Sequence, residues 1–318
     1  MRVRLLTFLA LPIAALSLAC MQVVAAPVSF HDTKSFPAAA GKLVRLEVRS
    51  LDVAVTVIEG GSITATTDIE IRTGSSSRAK RWIEQHTPVF EDSATALEIR
   101  VPKQVPSVSF FFGSTHTKAR ISVSVPAGCA VETHTSSGDV VFEGPALLAA
   151  PTRIKTASGD VTVRGGVREL IVDTASGDVR VSGPRLALLQ ADTASGDVVL
   201  DSGSEKALVN TASGDVRLHG LAGDLTVDTA SGDVRAKWQE LAAGHAVTIN
   251  TSSGDVSLTL PATVLVTGSL STHSGDLSSD LPGARDKREH VFTFAPQGTG
   301  VPLAVHTSSG DIVVHSKS

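Results

Sequence analysis

The hexapeptide Thr-Ala-Ser-Gly-Asp-Val, or a close variant of it, occurs nine times between Thr135 and Ile312. Its Gly-Asp pairs are Gly138-Asp139, Gly159-Asp160, Gly177-Asp178, Gly196-Asp197, Gly214-Asp215, Gly232-Asp233, Gly254-Asp255, Gly275-Asp276 and Gly310-Asp311. Subtracting successive Asp numbers gives intervals of 21, 18, 19, 18, 18, 22, 21 and 35. So regular a recurrence means that one structural unit is built nine times. Each unit must pack on its neighbours, because a piece of about 20 residues cannot bury a core alone.

The flanks identify the unit. One residue after each Asp the side chain is aliphatic (Val140, Val161, Val179 through to Leu277 and Ile312), and two further on it is usually apolar again. Position four after the Asp is polar throughout, from Glu143 and Arg164 to His315. Upstream, Ile154, Val172, Val209, Val227 and Ile249 stand two residues before the Thr, with a polar residue between. This period-two alternation marks strands with one buried face. Each repeat therefore holds two short strands joined by Ser-Gly-Asp. Such a coil stacks on its like about 4.8 Å away, and nine coils make a rod roughly 40 Å long. The expected fold is all-β: a parallel β-helix, or β-solenoid, of about nine coils. Composition agrees, since only 4% of residues are aromatic and none is Tyr, so the core must consist of small β-branched side chains in layers.

Each hexapeptide residue has a structural task in this reading. Gly supplies a backbone conformation that other residues avoid at a sharp corner. Asp and Ser hydrogen-bond local N–H groups that the corner leaves unpaired. Thr continues a ladder at the strand end. The nine Gly-Asp pairs are accordingly expected as structural turns, because a group present in every coil is a poor candidate for a unique catalytic centre. Stacked carboxylates would repel unless hydrogen-bonded or bridged by cations. Calcium favours such oxygen-rich sites, but the repeat is not the Gly-Gly-x-Gly-x-Asp nonapeptide of calcium-binding β-rolls. No metal or other cofactor is expected.

Outside the repeats, Arg2 and Arg4 followed by an uncharged apolar run to Ala19 and small residues at Val23, Ala25 and Ala26 read as a signal peptide over 1–25. The alternative is lipidation at Cys20, where Leu18-Ala19-Cys20 faintly resembles a bacterial lipobox. Export to the periplasm or cell surface is expected, with no membrane-spanning segment in the mature chain. Cys129, the other cysteine, lies in an apolar setting and reads as a buried small hydrophobe. Residues 26–130 form a β-rich capping region with one short helix at 76–86, and Ser50-Leu51-Asp52-Val53 is a degenerate copy of the motif. The solenoid covers 131–318, with an insertion at about 282–300. Its last motif sits at the chain's end, leaving an edge that is open or guarded by His315 and Lys317. Phe110, Phe111 and Phe112 are three of only ten phenylalanines. They cannot share one face of a strand, so either they fill a capping core or some form an apolar tip toward a partner.

Charge and motifs exclude several classes. A net charge of −4 offers no basis for binding nucleic acid. There is no Gly-x-Ser-x-Gly, no phosphate-binding loop, no His-Glu-x-x-His and no Cys-x-x-Cys. The catalytic alternative is a polysaccharide lyase or hydrolase on a β-helix, with Arg180, Arg217 and Arg235 lining a groove for an anionic chain. Mixed surface charge that solubilises a rod explains the same arginines. The motif copies, closing with Thr307-Ser308-Ser309-Gly310-Asp311-Ile312, resemble the DUF4097 family of bacterial β-strand repeat proteins, which carry an adhesin label. That resemblance, over about 40–318, implies a β-helical fold in an envelope or surface setting. Its implied partner is an envelope protein, a glycan or a surface, and it carries over no catalytic residue.

Overall fold

Residues 27–102, 116–295 and 300–317 are described by a computed structural model. Two long sheets run the length of the molecule. One collects the strands before each motif, such as Thr152–Thr156, Glu169–Thr174, Leu186–Ser195, Ser204–Ser213 and Asp224–Ser231. The other collects the strands after it, such as Val161–Val163, Val179–Val181, Val198–Leu200, Val216–Leu221 and Val234–Trp238. Neighbouring copies pair in parallel and in register, as in Val161 with Val179, Val198 with Val216, and Val172 with Ala191. The chain is a two-sheet parallel β-solenoid with the hexapeptide at the corner.

Alternation sends one side of each strand inward. Val140, Val161, Val179, Val198, Val216, Val234, Val256 and Ile312 form one fully buried column. Ile154, Val172, Ala191, Val209, Val227, Ile249, Val305 and Leu270 face them from the other sheet. Burying each such aliphatic contributes about 1.5–3 kcal/mol, so the many small side chains replace a few large rings. Trp238 and Phe142 are large rings fully buried among the described residues, and Trp238 donates its Nε1–H to the Gly223 carbonyl at 3.0 Å.

Stacking continues beyond the motif-bearing coils. Leu43–Val48 pairs with Ala130–Thr135, and Asp52–Ile58 pairs with Val140–Glu143, both parallel. Ala96–Arg100 and His116–Pro126 add one more parallel level outside these. Nine motif-bearing coils thus stand on two that lack the full motif, one of them carrying the degenerate copy at Ser50-Leu51-Asp52-Val53. Capping proper falls to antiparallel strands. Val28–Phe36 pairs with Ile63–Arg72, and that strand with His116–Pro126, while Val89–Asp92 closes the other sheet against Ala96–Arg100. Helix Ser76–His86 turns Ala79 and Ile83 into the core. Lys42, 2% exposed, ties the cap together through Asp92 and a 2.9 Å bond to the Pro37 carbonyl.

The far end corrects one expectation. The last motif does not form the edge. Val301–Ser309 lies between Val247–Ser253 and Val266–Ser274, and Ile312–Lys317 lies between Val256–Pro261 and Leu277–Ser279. The 35-residue interval is long enough for the chain to fold outward and return inside its own previous coil. The terminal edge consists of Leu277–Ser279 in one sheet, and in the other of the hairpin Gly283–Asp286 and Val291–Phe294, which lies antiparallel on Val266–Ser274. His315 therefore sits within the stack, its Nδ1 3.2 Å from Asp280.

Candidate functional site: the corner ladder and the trough beside it

All nine predicted Gly-Asp pairs fall at one corner, level above level. The aspartates form a continuous ladder. The Oδ1 of Asp139 accepts the backbone N–H of Asp160 at 3.0 Å, Asp160 accepts from Asp178 at 2.9 Å, and Asp178 from Asp197 at 2.8 Å. The chain of bonds continues through Asp197, Asp215, Asp233, Asp255 and Asp311 to the N–H of Asp276. It begins at Asp52 of the degenerate copy, which accepts from Asp139 at 3.1 Å. The carboxylate thus serves the next coil's amide rather than a local one, and holds adjacent coils in register with a charge-assisted bond.

Over the middle of the ladder, from Asp160 to Asp233, the like-charge problem is met by arginine. Arg180 reaches the Oδ2 atoms of Asp178 (2.6 Å) and Asp160 (3.6 Å), Arg217 those of Asp215 and Asp197, and Arg235 that of Asp233. The three arginines proposed for an anionic groove are therefore engaged by the ladder. As half-exposed pairs they each add at most about 1 kcal/mol. Among the described residues no three His, Cys, Asp or Glu side chains converge as a metal site.

Glycine has a reason the sequence did not reveal. A Cβ at position 159 would come closer than 3.0 Å to the Gly138 carbonyl oxygen, and one at 177 would meet that of Gly159. The same approach recurs through Gly196, Gly214, Gly232, Gly254, Gly310 and Gly275. Only the later corners also need left-handed backbone, with φ of +150° at Gly214. Close stacking, common to all nine, is the general requirement.

Two corner geometries follow. In the early coils the strand stops at the Thr (Ala130–Thr135, Thr152–Thr156, Glu169–Thr174), whose Oγ1 accepts the Gly N–H of its own corner, at 2.9 Å from Thr156 to Gly159. From Leu186–Ser195 onward the strand runs two residues further. The Gly N–H then goes to the next coil's Ser carbonyl, as from Gly214 to Ser231 at 3.0 Å. This leaves the buried hydroxyls of Thr193, Thr211, Thr229 and Thr251 without a partner. Replacing Thr by near-isosteric Val should therefore have opposite signs at the two corners. Thr156→Val strands a buried donor and is expected to cost about 1–2 kcal/mol, whereas Thr211→Val removes an unsatisfied hydroxyl and is expected to be neutral or stabilising. Urea denaturation of the two variants checks this.

The strand extension also shapes the surface. Beside the later corners runs a shallow trough of about 650 Å3, crossing the coils of Thr193, Thr211, Thr229, Thr251 and Thr307. Ala194, Ala212, Ala230, Ser252 and Ser308 line it together with Asn210, Asp228, Asn250 and His306. The polar residues are in register from coil to coil. Asn250 donates Nδ2–H to Asp228 at 2.8 Å, which orients its amide.

A larger cleft, about 960 Å3, opens at the capped end among His31, Asp52, Asp68, Glu70, Trp82 and Arg120. His31 Nδ1 lies 2.6 Å from Asp68 Oδ1, and Trp82 stacks on His86 with ring centroids 3.7 Å apart. Burial holds the His86 imidazole below its ordinary value, partly offset by a bond to the Trp82 carbonyl. Cys129 is buried, and burial raises its thiol. Phe110, Phe111 and Phe112, like Cys20, lie outside the described residues.

A parallel two-sheet solenoid stacked through Gly-Asp corners defines the class of protein. The chain belongs to the Toastrack DUF4097 family, whose model matches residues 45–315. Solved structures similar to it include a "putative adhesin" of Parabacteroides distasonis (13% identity, TM-score 0.42, 91% of this chain and 97% of that one). Another is a "putative adhesin" of Parabacteroides merdae (12%, TM-score 0.40, 91% and 96%). A third is a "putative lipid binding protein" of Parabacteroides distasonis (12%, TM-score 0.39, 91% and 97%). No curated protein matches the chain. No helix among the described residues is long and apolar enough to cross a membrane.

Proposed function

We propose that this protein is an exported, non-enzymatic envelope or surface module that binds or scaffolds through the regular faces of its solenoid. The observation that carries the reading is the occupation of its repeated polar groups. Each ladder carboxylate from Asp52 to Asp311 accepts the next coil's N–H, and Arg180, Arg217 and Arg235 pair with those from Asp160 to Asp233. Groups held in this way maintain a rigid rod and are not disposed for proton transfer or nucleophilic attack. A rod of identical levels instead presents the same surface chemistry repeatedly, which suits an extended or multivalent partner. Export rests on the leader expected at 1–25, with lipidation at Cys20 as its variant; residues 26–130 would then supply the cap and the two coils without the full motif, and 131–318 the repeating body.

Cross-linking in intact cells, followed by fractionation and identification of what is captured, tests the reading. The expected result is a mature chain in the envelope fraction joined to an envelope component, without turnover of added polysaccharide. Cleavage of polygalacturonate by the purified protein, abolished in Arg217→Ala, would replace the reading with a carbohydrate-active enzyme.

A further inference from the structure

Resting on that reading, we infer that the trough beside the later corners is a binding site for an extended, uncharged polysaccharide chain lying along the solenoid axis. Three features select this ligand class. First, the strands that floor the trough are paired on both sides, so no free backbone edge is offered to an added peptide strand. Recognition there must come from side chains. Second, those side chains are amides, a carboxylate and an imidazole repeated at the coil spacing, Asn210, Asp228, Asn250 and His306, with both donors and acceptors for hydroxyl groups. The bond from Asn250 to Asp228 fixes their orientation before a ligand arrives, lowering the ordering cost of binding. Third, among the described residues no Lys or Arg lines the trough, and Asp228 sits at its centre, so the site favours a neutral chain over an anionic one. The arginines that could have attracted one belong to the other sheet and are held by the corner ladder.

The floor completes the fit. Ala212 and Ala230 are exposed and small, which lets a broad ring approach the sheet between the polar columns. The lining begins at the coil of Thr193, where the strand first runs past the Thr. The site therefore spans only the levels from Thr193 to Thr307, enough length for several sugar units in succession.

Affinity electrophoresis of the mature protein through native gels containing dextran, hydroxyethylcellulose or mixed-linkage β-glucan tests the assignment, with polygalacturonate as the anionic comparison. At least one neutral polysaccharide should retard the protein and polygalacturonate should not. Ala230→Arg, which fills the trough from an exposed position, should weaken retardation at least tenfold. Asn250→Ala should weaken it by a smaller factor, and Arg164→Ala on the other sheet should leave it unchanged. Unchanged circular dichroism and melting of the variants confirm folding, and Asn250→Ala decides the case if Ala230→Arg does not fold. Absence of retardation in every neutral gel, or retardation that survives both trough substitutions, overturns the assignment. Capture of a protein partner in cells with all neutral gels negative would sink the trough site and leave the broader binding-module reading standing.

Discussion

Gly159→Ala is expected to destabilise the protein by about 4 kcal/mol, at the upper end of what one substitution does. The backbone at Gly159 is not left-handed, so a purely conformational account of the motif glycine would make alanine nearly harmless there. The steric account predicts the opposite. The added methyl meets the Gly138 carbonyl oxygen, a fixed backbone atom that cannot turn aside as a side chain would. Relief requires the two coils to separate, which lengthens the ladder bond between Asp139 and Asp160 and loosens the packing of Val140 on Val161. Gly214→Ala adds backbone strain to the same clash, since φ there is +150°. Gly60→Ala is the control: nothing lies near its Cβ position, and a change within about 0.5 kcal/mol is expected. Urea denaturation monitored by circular dichroism separates these outcomes. A Gly159→Ala protein as stable as Gly60→Ala would show that the coils do not approach as closely as described.

The parts of this architecture legible in the sequence are those encoded by local alternation. Val161, Val163 and the polar residues between and after them specify a strand and its buried face without reference to any other coil. The Gly-Asp corners are legible as corners for the same reason. What the motif does conceals itself in the stacking direction. Asp160 accepts hydrogen bonds equally well from a local amide or from one in the next coil, and only the structure assigns the donor, Asp178. The order of the coils is hidden too. Thr251, Thr272 and Thr307 head near-identical motifs, so any of them could stack on any other, and the placement of the last coil inside the previous one leaves no mark in the motif. The trough is the least legible feature of all. Thr156-Ala157-Ser158 and Thr211-Ala212-Ser213 are the same tripeptide, yet the strand ends at Thr156 in one and continues to Ser213 in the other. Neighbouring coils choose between the two corners, and a local reading has no access to that choice.

Replacing a mid-ladder aspartate should distinguish a structural acceptor from a charge. Asp215 accepts the Asp233 N–H at 3.0 Å and pairs with Arg217. Asp215→Ala removes that acceptor and leaves Arg217 only the more distant Asp197. A hydrogen bond to a charged group contributes about 1.5–3 kcal/mol, so a loss of about 2 kcal/mol is expected. Asp215→Asn keeps an oxygen in the same place and removes one of a column of like charges, so it should recover most of the loss. Because a stacked array holds together level by level, the sharpest readout is local. Amide hydrogen exchange at Asp233 should accelerate strongly in the alanine variant and little in the asparagine variant, while exchange at Asp160, three levels away, stays slow in both. If alanine and asparagine were equally damaging, the carboxylate's charge, through Arg217, would be what holds these coils together. If neither mattered, the column of aspartates would owe its place to something other than stacking.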